Sequence, residues 1–161
     1  MEKNILVLAF GNDIIGDDAA ALEAADILER EFNEDVDFEN IYGGGLEVLD
    51  FIENREKVLV LDSITTEEHP VGTIVEFGQD AFGYSNVSSP HYVGLPEVLK
   101  LSAMFELNVP KEIKILAIEI DLQSTIVEGL SSEIKEKLPD LVREASKVLT
   151  EWLEEEKAKD Q

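Results

Sequence analysis

The chain contains no cysteine, which excludes disulfides, a thiolate metal site and a cysteine nucleophile, and which agrees with a reducing, cytoplasmic setting. Histidine is nearly as scarce: His69 and His91 are the only two, so any imidazole chemistry rests on one of those positions. Basic residues are few as well. Thirteen Lys plus Arg stand against 36 Asp plus Glu, a net charge of −23. Such a field repels nucleic acid and anionic membranes, so neither is expected as a partner. The plain reading of the charge is solubility; the sharper one is attraction to a basic protein surface or a cation. No apolar run approaches the ~20 residues of a membrane span, and no signal peptide opens the chain.

What is present is enough for a core. With 161 residues, 44% of them apolar, and no break in composition, residues 1–161 read as one domain, with 154–161 a charged tail that frays. The organising stretch is Asn4 to Asp18. Ile5 to Phe10 is an unbroken apolar run, as in a central parallel strand covered on both faces. It leads into a loop holding Gly11 and Gly16, and then into the adjacent acids Asp17 and Asp18, which open a helical pattern from Ala19 to Phe32. Beyond the carboxyl ends of the strands is where open α/β sheets bind ligands.

The remaining pattern alternates. Val36 to Ile41 reads as a peripheral strand, and Gly43-Gly44-Gly45 leads to a short helix carrying Leu46, Leu49 and Ile52. Lys57 to Asp62 is a second continuous apolar strand, ended by an acid. Thr73 to Phe77 is reached by a connection too short for a helical crossover, so it is expected to be antiparallel and at an edge. A helix is expected from Pro96 to about Leu107, a last internal strand over Glu112 to Ile120, and a helix from Ser131 onward that Pro139 breaks or kinks. This order predicts an α/β three-layer sandwich: a twisted, mostly parallel sheet of about five strands, with an antiparallel edge strand and helices on both faces.

Two strong strands lead to acids, Asp17-Asp18 after the first and Asp62 at the third, and His91 lies in a loop before a helix. Asp18, Asp62 and His91 supply oxygen and nitrogen donors suited to a borderline divalent metal, and three protein ligands leave positions open for substrate or water. Each residue also has a duller reading. Asp17 or Asp18 caps the following helix, Asp62 is a solvated strand end or a cap, and His91 is a surface histidine, as His69 is. Ser63, Ser88 and Ser89 lack a nucleophile-elbow setting. The glycines at 43–45 either make a turn or let an extended peptide lie close. Gly11 and Gly16 have the spacing of a phosphate-binding loop, but the acids that follow replace its Lys-Ser/Thr and would repel an anion. A phospho-accepting receiver domain shares the acids after the first and third strands, yet lacks the spacing and the Lys-Pro after the last strand.

Taken in order, Leu8-Ala-Phe-Gly-Asn12, Gly16-Asp17-Asp18, Gly43-Gly44, Val60-Leu-Asp62, Ser89-Pro-His91, Pro96-Glu-Val-Leu99, Ala117-Ile-Glu119 and Gly129-Leu-Ser131 resemble the hydrogenase maturation endopeptidases over nearly the whole chain. The resemblance implies a phosphorylase/hydrolase-like five-stranded sheet and an enzyme that removes the carboxyl-terminal extension of a nickel-iron hydrogenase large-subunit precursor after nickel insertion. It implies that Asp18, Asp62 and His91 contact nickel carried by that precursor, that the peptide lies beside Gly43 to Gly45, and that no organic cofactor is tightly bound. Alternatives to this activity are the receiver-like domain and a non-catalytic assembly chaperone. Two positions depart from the family pattern. Ala19-Ala20-Ala21 replaces a small Gly-x-Gly element, stiffening the helix start, and Tyr42 stands where an Asp is common.

Overall fold

The computed structural model describes residues 1–43, 47–78, 102–121 and 128–161. Its elements are β1 (Ile5–Phe10), a 3-10 turn (Gly16–Ala19), α1 (Ala20–Phe32), β2 (Val36–Ile41), α2 (Glu47–Ile52), β3 (Lys57–Ile64), β4 (Ile74–Gly78), β5 (Glu112–Glu119) and α3 (Ser132–Lys159). The sheet order is β2-β1-β3-β5-β4. The β1–β2, β1–β3 and β3–β5 pairs are parallel, and β4 pairs antiparallel to β5 at the edge. The expected mixed sheet, including its antiparallel edge strand, is what the chain builds.

Two cores follow from the alternation of the strands. Ile5, Val7, Ala9, Leu59, Leu61, Leu116 and Ile118 face α1 and α3. Leu6, Leu8, Phe10, Val58, Val60, Ile113 and Ile115 face α2 through Val48 and Ile52. All six residues of β1 are buried, which explains its unbroken apolar run: both faces are covered. Each fully buried Leu or Ile contributes on the order of 2 kcal/mol relative to exposure. On α1, Ala20, Ala21 and Ala24 have no exposed surface, so this small-residue stripe lets the helix lie close on the sheet.

Three expectations are corrected. Asp62 does not end its strand: β3 continues through Ser63 to Ile64, held in register with Ala117, Ile118 and Glu119 of β5. Pro139 does not end α3, which runs as one element from Ser132 to Lys159. The lost backbone donor is outweighed by an apolar stripe (Ile134, Leu138, Leu141, Ala145, Val148, Leu149, Trp152) buried on both sides of the proline. Residues 154–159 likewise remain helical, because α3 is tied to the sheet there. Trp152 is buried, and the Lys57 ammonium sits 5.3 Å from its ring centroid while pairing with Glu155. Lys159 lies 3.5 Å from Glu56. Of the helix expected over 96–107, only its end is described, where the Leu107 N–H donates to the Ser102 carbonyl at 2.9 Å.

Candidate active site

Parallel pairing of β1, β2 and β3 sets the ends of these strands at one rim of the sheet, and the polar residues of interest gather there. The turn after β1 is tightly built. Gly11 N–H donates to the Ile41 carbonyl at 3.2 Å, and Asp18 N–H donates to the Ile15 carbonyl at 2.9 Å. Gly16 adopts φ 36°, a left-handed backbone that favours glycine. Gly11 is required for a different reason: a Cβ placed there would lie 2.3 Å from the Asp18 carbonyl oxygen. The close passage of residue 11 over residue 18 brings the second acid of the pair back against the strand end.

Neither acid caps α1, whose N-cap Ala19 receives no side-chain hydrogen bond. Asp17 turns outward to a different helix. Its carboxylate accepts the Ser131 N–H at 2.7 Å and the Ser131 hydroxyl at 2.9 Å. Ser131 is itself the N-cap of α3, its hydroxyl oxygen accepting the Ile134 N–H at 3.3 Å. Asp18, half-buried, turns toward β3, where its Oδ1 accepts the Ser63 hydroxyl at 2.6 Å. Asp62 has no exposed surface, so it is not a solvated strand end. Its Oδ1 accepts the Ser63 backbone N–H at 2.7 Å. Asp18 and Asp62 are thus joined through one residue, Ser63.

The loop that follows β3 is held by Glu119, also buried. Its Oε1 accepts Thr66 N–H at 2.9 Å, the Thr66 hydroxyl at 2.8 Å and Glu67 N–H at 2.7 Å, while its Oε2 is buried without a hydrogen-bond partner. Glu67 sits at φ 60°, and the carboxylate fixes this uncommon turn. A cleft of about 320 Å³ opens against Asp17 and Asp18 and is bounded opposite by Ile120, Asp121 and Gly129. A larger groove of about 720 Å³ runs between Ile27 of α1 and Leu138 and Val142 of α3. It lies on the outer helical layer away from the acid pair, so the smaller cleft is the better candidate for chemistry.

His91, Gly44 and Gly45 lie outside the described residues. Gly43 is exposed, as is Tyr42 beside it. Among the described residues, no group of three or more His, Cys, Asp or Glu is placed to hold a metal ion. His69 is exposed, as the sequence implies.

A model of the hydrogenase maturation protease family matches residues 23–148. The chain belongs to that family. It is therefore a protease, which sets aside both the phospho-accepting receiver and the non-catalytic chaperone. The hydrogenase 2 maturation protease of Escherichia coli K12 is 28% identical over 118 residues, covering 71% of each chain. Among solved structures, a hydrogenase maturating endopeptidase from E. coli superposes with a TM-score of 0.77 at 23% identity, over 94% of this chain and 93% of its own. A NiFe hydrogenase maturation protease from Thermococcus kodakarensis gives 0.73 at 24%, over 92% and 99%. These superpositions place the maturation protease in the same fold as those two enzymes.

The sequence singled out Asp18 and Asp62 but not the residue between them. Ser63 was legible only as a serine without a nucleophile's setting. The Asp17–Ser131 and Glu119–Thr66 contacts span 114 and 53 positions, beyond any local pattern, although Glu119 and Ser131 both fall in the motifs that carry the family resemblance.

Proposed function

We propose that this protease removes the carboxyl-terminal extension of a nickel-iron hydrogenase large-subunit precursor after the metal has been installed. In this reading Asp18, Asp62 and His91 contact nickel that the precursor itself holds, and the scissile peptide lies extended beside Gly43 to Gly45. The observation that carries it is the joining of Asp18 to Asp62 through Ser63 at the rim of the sheet, in a chain of the hydrogenase maturation protease family. Oxygen and nitrogen donors without thiolate bind a borderline metal less tightly than a cysteine cage does. They suit an enzyme that inspects a client's metal and leaves it in place. The client's metal, or a water activated near these carboxylates, would promote addition of water across the peptide bond, and the extension would leave as a free peptide. Asp62 is fully buried, so docking of the client must uncover it.

The test is direct. Nickel-loaded and nickel-free precursors are incubated with the protease and the products weighed. Only the loaded precursor is expected to shorten, and Asp18→Ala, Asp62→Ala and His91→Ala are each expected to abolish processing in a folded protein. Efficient cutting of nickel-free precursor removes the metal-inspection step, and full processing by the His91 variant removes that residue from the site.

A further inference from the structure

Ser63 is buried, 4% exposed, on a strand whose neighbouring side chains are nearly all apolar. Its hydroxyl donates to Asp18 Oδ1 at 2.6 Å, a short distance typical of an O–H bound to a carboxylate. Its backbone N–H donates to Asp62 Oδ1 at 2.7 Å. One residue therefore fixes an oxygen of each carboxylate, one on the turn after β1 and one on β3. The backbone half of this arrangement survives any substitution except proline, whereas the hydroxyl half depends on the side chain. Chemistry separates the two roles cleanly.

We infer that Ser63 is a positioning residue for the proteolytic site: its hydroxyl sets the rotamer of Asp18 relative to Asp62, so that both carboxylates meet the client together. The inference rests on the reading of Asp18 and Asp62 as client contacts. The role needs no contact between Ser63 and the substrate, because its hydroxyl acts through Asp18 Oδ1. An aspartate side chain has several staggered rotamers to choose from. A hydroxyl anchored in the central sheet selects one of them. Partners of this kind, which orient a contacting group without touching the substrate, are typically worth 10- to 100-fold in affinity or activity.

The experiment compares processing of nickel-loaded precursor by the full-length wild type, Asp18→Ala, Ser63→Ala, Ser63→Thr and Ser63→Cys, with thermal unfolding of each. Ser63→Ala is expected to lose about 10- to 100-fold in kcat/KM while unfolding near the wild-type temperature. Ser63→Thr keeps the hydroxyl and is expected to recover most of that loss. Ser63→Cys preserves volume with only a weak donor, and is expected to lose activity even if the alanine variant's cavity unfolds the strand. Wild-type kcat/KM in the alanine or cysteine variant, with Asp18→Ala inactive, overturns the positioning role. So does a folded threonine variant as impaired as the alanine one. Normal processing by Asp18→Ala overturns instead the reading of the site on which the inference stands.

Discussion

Asp17 and Ser131 are locked together across 114 positions of chain, the carboxylate of one accepting both the backbone N–H and the hydroxyl of the other. Because Ser131 also caps α3, the contact ties the turn after β1 to the start of the last helix. The adjacent acids thereby divide: Asp17 is tied to the helical layer and Asp18 to the sheet.

That division is measurable. Asp17→Ala is expected to cost about 1–2 kcal/mol, the range for an N-cap interaction or a hydrogen bond to a charged group. Ser131→Ala is expected to cost a similar amount. The double variant should cost less than the two together by at least about 0.5 kcal/mol, because both remove the hydrogen bond from the Ser131 hydroxyl to the Asp17 carboxylate. Urea denaturation of the four proteins gives the cycle, and strict additivity would contradict the pairing. Asp17→Ala should also retain far more processing activity than Asp18→Ala.

Gly11 links backbone geometry to the site. A methyl group there would stand 2.3 Å from the Asp18 carbonyl oxygen and 3.2 Å from Leu22 Cγ, and a backbone oxygen cannot rotate aside as a side chain can. Gly11→Ala must therefore push the 16–18 turn away from β1. Overpacking of this kind costs about 1–3 kcal/mol, and a displacement near 1 Å at a reacting constellation can cost on the order of 100-fold in rate. Processing should therefore fall by more than the loss of stability explains. A stable Gly11→Ala variant with wild-type turnover would show that Asp18 tolerates a looser placement.

The contrast between what the sequence disclosed and what it concealed follows the range of the forces. β1, β2 and the first six residues of β3 were legible because burial imposes a dense local pattern, continuous where both faces are covered. The extension of β3 through Ser63 was not, because Asp62 and Ser63 break the apolar run while the ladder with β5 continues regardless. The break allowed for at Pro139 and the frayed end of α3 were misread for the same reason: local propensity opposed a helix that is held by a distant partner, Lys57, which pairs with Glu155 and sits over Trp152. Asp18 and Asp62 could be placed at one rim from topology alone. The serine that joins them could not, since nothing near it in sequence distinguishes it.

Glu119 offers a test away from the acid pair. One of its oxygens gathers three donors from Thr66 and Glu67, and the residue is 1% exposed. Glu119→Ala strands those donors and opens a cavity, so a loss of at least about 1–3 kcal/mol is expected. Glu119→Gln keeps a carbonyl acceptor in place and should cost less. Hydrogen exchange provides the finer readout: the Thr66 and Glu67 amides should lose protection in the alanine variant and keep much of it in the glutamine variant. Unchanged protection in Glu119→Ala would show that the turn holds itself.

The acid limb of stability should carry the signature of Asp37. Burial alone pushes its carboxyl upward, but the Lys3 backbone N–H, the Arg55 guanidinium and the Lys3 charge together hold it below the usual carboxylate value. Glu155 is also held low, chiefly by its hydrogen bond from Lys57; being exposed, it should matter less and be screened by salt. A carboxyl depressed in the folded state adds stability that is fully present above its unfolded value, about 4, and is lost as pH falls through the lower folded value. Absolute stability will not display this simply, because protonating some of the 36 acids also relieves the repulsion within a chain of net charge −23. The difference between wild type and Asp37→Asn cancels most of that background. It should be largest and flat from about pH 5 to 8 and shrink steadily below about pH 4. A difference that stays constant to pH 2 would mean that Asp37 is not held low by Arg55 and Lys3.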